Sequence, residues 1–255
     1  MMEQDGSLIA GSVRRMAAQL RSRPLRHVIG RLSEVGPGGL TTTLGGVAVG
    51  EVCRLRDPHQ GRETISQVVA IRNGKALLAP VGTTDGLSVR TEVIPEYGPL
   101  TFWCGMGMIG GVFDGLGRPI DGRTISRRGM VQRDIAPRAP NPLERPLINK
   151  PMPTGIRVLD GLLTCGIGQR IALVGPPGGG KSSLTGALAR NAKSDICVLA
   201  LIGERGRELR EFLDRQLPPE FRQRCIVVAS TSDRPAMERV IGAHVATSIA
   251  EFFRE

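Results

Sequence analysis

The sequence has few aromatic residues and almost no lysine. Aromatic side chains make up 3% of the 255 residues, and the four lysines are Lys75, Lys150, Lys181 and Lys193. The formal net charge of +10 therefore comes from arginines, which are scattered rather than clustered. Basic charge is compatible with nucleic acid or an anionic membrane as a partner, but proteins that bind single strands stack bases on aromatic side chains. The composition therefore argues against a base-stacking surface.

The five cysteines follow no disulfide or metal-binding pattern. No CxxC pair is present, and no histidine lies close enough in sequence to complete a metal site. Cys197 and Cys225 lie in apolar runs, so we interpret them as small buried hydrophobic residues. An odd, unpatterned set of cysteines indicates a reducing compartment. Because no signal peptide and no apolar run of membrane-spanning length are evident, we expect a cytoplasmic protein.

The first part of the chain predicts an amphipathic arm and then a small β-barrel. Residues 1–25 include "SLIAGSVRRMAAQLRS", whose apolar residues recur at helical spacing opposite an arginine-bearing face. This arm either docks on its own domain or contacts a partner protein or a membrane surface. In residues 26–95, short β-prone runs alternate with glycine, and Asn73-Gly74 is typical of a hairpin turn. Several short strands at this spacing favour a barrel.

The rest of the chain predicts a connector and then a parallel α/β domain. Residues 96–153 are rich in glycine and proline, which favours an extended passage between domains. In residues 154–255, the runs "RIALVG", "ICVLALIG" and "CIVVAS" predict strands, and each precedes a predicted helix. Uninterrupted apolar strands are buried on both faces, which is typical of a parallel sheet. The predicted fold class is therefore α/β, with a small N-terminal β-barrel followed by a parallel α/β domain.

A glycine-rich loop separates the first of these strands from its helix. It matches GxxxxGK[ST] in full, in the strand–loop–helix context that a phosphate-binding P-loop requires. Glycines let backbone N–H groups converge on phosphate oxygens, Lys181 supplies positive charge at the β and γ phosphates, and Ser182 offers a hydroxyl to Mg²⁺. The sequence therefore predicts a site for ATP and Mg²⁺. The candidate nucleotide-binding residues are Gly175, Pro176, Pro177, Gly178, Gly179, Gly180, Lys181, Ser182 and Ser183.

Two glutamates follow the second predicted strand. Glu204 comes directly after "ICVLALIG", at the carboxyl edge of the sheet where the P-loop is also expected. A carboxylate there orients or deprotonates an attacking water, and Glu208, one helical turn further on, is a candidate to hold a Mg²⁺-bound water. The structural alternative is that both glutamates balance the helix dipole and pair with Arg205 and Arg207.

Several longer stretches resemble one protein family. The stretches "TGIRVLDGLLTCGIGQRIALVGPPGGGKSSL", "LIGERGRELREFL", "STSDRPAMER" and "FDGLGRPIDG" are similar to those of type III secretion ATPases, which are relatives of the flagellar export ATPase and of the catalytic subunit of the rotary ATP synthase. "DRPAMER" favours the injectisome branch. The resemblance implies a RecA-like nucleotide-binding domain. It assigns Lys181 and Ser182 to phosphate and Mg²⁺, Glu204 to catalysis, and Arg205 to a position beside the γ-phosphate.

The resemblance also implies an assembly and a place in the cell. The family forms homohexameric ATPases that release chaperones and unfold export substrates. Expected partners are a stator protein, secretion chaperones, export substrates and the export apparatus at the cytoplasmic face of the inner membrane; no nucleic acid is expected.

The chain departs from the family pattern in three places. Pro176 and Pro177 remove two backbone donors from the phosphate-binding loop, and Gly111 stands where the family tends to have arginine. The third departure is at the end, because the Walker B aspartate, the arginine finger and the C-terminal domain of the family have no counterpart here. We therefore expect an incomplete, C-terminally truncated RecA-like domain that turns over ATP poorly or not at all.

Two alternatives remain from other functional classes. One is an RNA-translocating RecA-like hexamer similar to the terminator Rho, which also pairs a small N-terminal β-domain with a P-loop domain. RNA-stimulated ATPase activity and salt-dependent RNA binding would favour it. The other is a non-catalytic interaction module, which a failure to bind nucleotide would favour.

Overall fold

The computed structural model describes residues 28–36, 39–59, 61–137, 139–176 and 178–255. These residues fall into two compact units that divide between Leu100 and Thr101. The predicted amphipathic arm, residues 1–25, lies outside the described residues. Within the described part of the chain, no helix is both long enough and apolar enough to cross a membrane.

The first unit contains a closed six-stranded antiparallel barrel, as the sequence predicts. Its strands are β1 (Gly30–Gly36), β2 (Gly39–Thr42), β3 (Val52–Arg56), β4 (Glu63–Arg72), β5 (Lys75–Pro80) and β6 (Glu92–Pro95). They pair in the order β1-β2-β5-β4-β3-β6, and β6 closes the barrel onto β1. Alternate residues point inward, so leucines and valines such as Leu55, Leu78 and Val93 fill the interior.

The turn between β4 and β5 shows how the sequence sets the register of one hairpin. Asn73 and Gly74 both adopt positive φ, at 51° and 73°. A two-residue turn with positive φ at both positions matches the right-handed twist of the flanking strands. Arg72 therefore pairs with Lys75, and the hairpin predicted from Asn73-Gly74 is confirmed.

The second unit is built around a three-stranded parallel sheet. The strands of this unit are β7 (Thr101–Cys104), β8 (Val112–Phe113), β9 (Val131–Asp134), β10 (Cys197–Ile202) and β11 (Cys225–Ser230). Its α-helices are α1 (Arg157–Leu162), α2 (Lys181–Asn191), α3 (Gly206–Arg215), α4 (Pro219–Arg222) and α5 (Ala236–Arg254). The parallel sheet has the order β10-β11-β8, while β7 and β9 form a separate antiparallel pair. The α/β class predicted from the uninterrupted apolar runs is confirmed.

Strand β11 lies at the centre of this unit. All six of its residues are buried, as expected for a strand covered on both faces. Helix α5 packs against β10 and β11. A cluster that includes Val227, Leu199, Ala189 of α2 and Phe212 of α3 forms the core around the sheet. The helix that carries the P-loop lysine is thereby anchored to the sheet through its C-terminal half.

The run "RIALVG" does not form the buried strand that the sequence predicts. Residues 170–176 have no strand structure, and Ile171 and Val174 are 50% and 92% exposed. An apolar run becomes a strand only when a neighbouring strand takes up its N–H and C=O groups. No described residue pairs with this segment, and β11 has β10 and β8 as its two neighbours. This part of the secondary-structure prediction is therefore wrong for the described residues.

Close packing explains the glycine at position 111. A Cβ placed there would lie 2.6 Å from the Phe113 ring and 3.0 Å from the Met108 carbonyl oxygen. The Gly111 carbonyl also accepts a hydrogen bond from the Val227 N–H of β11. In this arrangement the backbone approaches the sheet too closely for any side chain, so an arginine would require the local packing to shift.

Candidate nucleotide-binding site

The glycine-rich loop leads directly into helix α2. Gly178 and Gly180 have φ values of 76° and 82°, a conformation that only glycine adopts without strain. Gly180 is the residue that precedes the first helical turn, and the Leu184 N–H donates to its carbonyl at 2.9 Å. Before the helix, the loop forms a turn of its own, in which the Gly179 N–H donates to the Pro176 carbonyl at 3.1 Å.

Lys181 folds back over this loop. Its Nζ donates to the carbonyl oxygens of Gly175 at 2.7 Å and Pro176 at 3.0 Å. An ammonium group has three donors, so one remains for a ligand while two hold the loop. Pro176 therefore acts through its carbonyl oxygen, which accepts from both Lys181 and Gly179, and its missing N–H is not part of these contacts. Pro177 lies outside the described residues.

The first turn of α2 presents further donors. Lys181, Ser182 and Ser183 are the first three residues of the helix, and the N–H groups of a first turn have no carbonyl acceptor within the helix. Ser182 and Ser183 are both exposed. The helix contains no acidic residue in this turn, so its positive N-terminal end is not neutralised by its own side chains. These features suit a phosphate group, with the Ser182 hydroxyl available for a metal ion.

Glu204 follows the carboxyl end of β10. The Gly203 N–H donates to the Ser230 carbonyl at 2.7 Å, and the Ser232 N–H donates to the Glu204 carbonyl at 2.9 Å. These two bonds attach the β10–α3 loop to the end of β11 and to the loop after it, so the backbone of Glu204 is held from two sides. The contact with Ser232 could not be predicted, because a backbone hydrogen bond between distant loops leaves no residue pattern.

The pKa of Glu204 depends on Glu208 and Lys181. Partial burial raises the pKa of Glu204 above its ordinary value, and a hydrogen bond and repulsion from Glu208 raise it further, while the charge of Lys181 acts in the opposite direction. Two interacting carboxyl groups are suited to hold a metal ion or a bound water.

Arg205 lies on the outer side of this group. It is the residue that precedes α3, and its guanidinium lies 3.9 Å from a Glu208 carboxylate oxygen. Its side chain is 67% exposed, so this ion pair is weak. Arg205 contacts residues of its own helix, so its position beside a γ-phosphate stays a prediction.

Comparison with known protein families identifies the domain that holds this site. Residues 155–255 match the nucleotide-binding domain of the ATP synthase alpha/beta family. A "Type 3 secretion system ATPase" of Sinorhizobium fredii is 43% identical over 230 residues, which cover 90% of this chain and 51% of that protein. The chain therefore spans about half the length of the curated relatives it matches.

Solved structures agree with the sequence comparison. The assembled ATPase EscN from the type III secretion system of enteropathogenic E. coli matches with a TM-score of 0.79 and 36% identity, covering 88% of this chain and 53% of EscN. EscN in complex with its central stalk EscO matches with a TM-score of 0.77 and 36% identity, covering 88% of this chain and 54% of that one. The similarity extends well beyond the 101 residues of the nucleotide-binding match, which run from 155 to 255.

Proposed function

We infer that this chain is a member of the type III secretion ATPase family, that it binds ATP with Mg²⁺ at the loop of residues 175–183, and that it contributes to hydrolysis of the nucleotide. The observation that carries this proposal is the conformation of the loop: Gly178 and Gly180 in the left-handed region lead into α2, whose first residue, Lys181, donates to two loop carbonyls. Glu204 and Glu208 follow the end of β10. The loop and the first turn of α2 supply donors for phosphate oxygens. The two carboxyl groups supply acceptors for a metal-bound or attacking water.

Each residue then has a distinct role. The backbone N–H groups of the loop and of the first turn of α2 bind phosphate oxygens, and Lys181 adds charge at the β and γ phosphates. Ser182 binds Mg²⁺ through its hydroxyl, and Glu208 holds a water of the metal shell. Glu204 orients the attacking water and accepts its proton, and Arg205 stabilises charge near the γ-phosphate. Mg²⁺, when bound, neutralises charge on the phosphates.

The raised pKa of Glu204 is consistent with a general base. A carboxylate with an ordinary pKa is a weak acceptor near neutral pH, and a raised pKa brings its basicity closer to the operating pH. Glu208 raises the pKa of Glu204 and Lys181 lowers it, so a ligand charge near either side chain would shift the pKa of Glu204. Ligand binding and the protonation of Glu204 are therefore coupled in this proposal.

The biological role follows from the relatives and belongs to the proposal as well. The related EscN is an assembled ATPase and binds a central stalk, EscO. We propose that the present protein likewise forms a homo-oligomer, a hexamer by family, in the cytoplasm at the inner-membrane export apparatus. There it energises protein export with stator, chaperone and substrate proteins as partners. No observation favours the RNA-translocating alternative.

Binding of a fluorescent ATP analogue, with and without Mg²⁺, tests the proposed site. Saturable binding that Mg²⁺ tightens is expected for the unmodified chain. Ser182→Ala should lose most of the Mg²⁺ effect, because the hydroxyl that meets the metal is gone. Ser194→Ala, which removes a hydroxyl in the loop after α2, is the matched control and should keep it. Absence of saturable binding would favour the non-catalytic interaction module instead.

A further inference from the structure

Two cysteines lie side by side at the start of the central strands. Cys197 is the first residue of β10 and Cys225 the first of β11, and the two are register partners in the parallel pair. Neighbouring strands of a sheet lie about 4.8 Å apart, and partners in register point to the same face. The Cα separation expected for this pair falls within the window of about 4.4–6.8 Å that a disulfide spans.

The two thiols already interact. Each thiol shifts the pKa of the other, and the Cys225 Sγ–H also donates to the Phe221 carbonyl oxygen at 3.2 Å. Cys225 is fully buried, whereas Cys197 is only half-buried at the rim of the same core cluster. A small oxidant from solvent therefore reaches the pair from the side of Cys197.

Charge near the pair favours loss of one proton. The hydrogen bond from Cys197 lowers the pKa of Cys225 to about 7, and the positive charges of Arg224 and Arg222 act in the same direction. That hydrogen bond and burial raise the pKa of Cys197, so the pair loses one proton readily and the second with difficulty. One thiolate beside one thiol is the arrangement in which attack on an oxidant is followed by closure to a disulfide.

The remaining cysteines have no such neighbour among the described residues. Burial raises the pKa of Cys53 to about 12 and that of Cys104 to about 11, which keeps both thiols protonated and unreactive. Cys165 is also free and buried. Within the described ranges, no group of three or more histidine, cysteine or acidic side chains could hold a metal ion, so the two thiols lack the further ligands of a metal site.

We propose that Cys197 and Cys225 form a reversible disulfide when hydrogen peroxide reaches β10. Cys225 releases its proton to solvent, and the Cys225 thiolate attacks one peroxide oxygen, so that the O–O bond breaks, hydroxide leaves and Cys225 becomes a sulfenic acid. This hydroxide takes the proton of Cys197 and becomes the first water. The Cys197 sulfur then attacks the Cys225 sulfur, the S–S bond forms, the S–O bond breaks, and the second hydroxide takes up a proton from solvent to become the second water. The balance is two thiols and one peroxide to one disulfide and two waters.

This disulfide would join β10 to β11 next to a residue that holds the P-loop helix. The Arg224 guanidinium, beside Cys225, donates to four carbonyl oxygens at the end of α2 and just beyond it, those of Ala189, Arg190, Ala192 and Ser194. The residue next to Cys225 therefore binds the C-terminal end of α2 through hydrogen bonds. The proposal itself concerns only the thiols and does not depend on nucleotide binding.

Peroxide treatment of the folded protein, followed by unfolding, alkylation of the remaining thiols and mass spectrometry, tests the pair. In the untreated chain, all five cysteines should be alkylated after unfolding; after treatment, three should be, with one Cys197–Cys225 cross-linked peptide that a reducing agent removes. Cys197→Ser should lose the cross-link and leave Cys225 as a sulfenic acid that a dimedone probe captures.

Cys53→Ser is the matched control, since it removes a buried cysteine of the barrel and should leave the cross-link intact. Should the treated parent keep five alkylatable thiols, or should its cross-links join other cysteines, the proposal is wrong. Because both readings are made on the parent protein, they stand even where a variant folds poorly.

Discussion

The strands of the barrel and the segment before the P-loop differ in the backbone hydrogen bonding that neighbouring strands provide. Every strand of the barrel has two neighbours, and its interior is filled by leucine and valine side chains. The segment 170–176 is equally apolar but pairs with no described strand, and its side chains are largely exposed. Local sequence character is therefore not enough to make a strand; the difference lies in whether a neighbouring strand is available.

The largest expected effect comes from truncating one apolar side chain in each setting. Leu55, inside the barrel, is 0% exposed, whereas Val174, in the unpaired segment, is 92% exposed. Leu55→Ala should lower the free energy of unfolding of the barrel by about 2–5 kcal/mol, because it removes buried contacts and leaves a cavity. Val174→Ala should change it by less than about 0.5 kcal/mol.

Urea-dependent hydrogen exchange, resolved for barrel and second-unit peptides separately, measures both variants in one experiment. Similar losses for the two substitutions would contradict the contrast between a closed barrel and an open segment. A loss at Val174 alone would show that the segment is buried in solution.

A smaller effect is expected within the P-loop itself. An alanine Cβ would meet open space at both Gly175 and Gly180, but only Gly180 has a positive φ, at 82°. Gly180→Ala should therefore destabilise the loop and the first turn of α2 by about 1–2 kcal/mol, the cost of forcing a non-glycine residue into the left-handed region. Gly175→Ala is the matched control and should have little effect on exchange of the first-turn amides. Equal effects of the two changes would mean that the conformation of Gly180 is not required.

The parts of the fold that the sequence predicts are those fixed by nearby residues. Asn73-Gly74 sets a hairpin because the conformation of two residues decides it, and the apolar run of β11 reads as a buried strand because all of its side chains are apolar or small. The P-loop follows from the spacing of its glycines and Lys181. These are local properties, and the structure agrees with them.

Properties that depend on distant residues were missed or mistaken. "RIALVG" has strand composition, but its pairing depends on other strands. The adjacency of Cys197 and Cys225 depends on the register of β10 against β11, which sequence spacing does not reveal. The contact of Ser232 with Glu204 and the hold of Lys181 on the loop carbonyls likewise depend on tertiary placement.

The smallest expected effect concerns the two glutamates beside Lys181. Because the pKa of Glu204 is raised in the folded protein, its protonated form is favoured there, and the stabilising contribution at low pH is lost as pH rises through that pKa. Glu208→Gln removes the repulsion that acts at neutral pH. The variant should therefore gain stability relative to the parent between acidic and neutral pH, and the pKa of Glu204 should fall.

Carboxyl chemical shifts followed by NMR across the acidic range measure this pKa directly. Glu211→Gln is the control, since Glu211 pairs with Arg215 on the exposed side of the same helix. An unchanged Glu204 pKa in Glu208→Gln would show that the two carboxyl groups do not interact, and would contradict their proposed joint role at a metal-bound water.

The most direct test of the nucleotide site compares the lysine at the start of helix α2 with the lysine just after its end. Lys181 begins the helix beside the loop carbonyls, and Lys193 lies just after the helix ends. Both substitutions to alanine remove one positive charge. The dissociation constant for ATP with Mg²⁺ should rise at least about tenfold in Lys181→Ala, because a hydrogen bond to a charged group is lost, and stay near the parent value in Lys193→Ala. Equal affinities of the two variants and the parent would contradict the account.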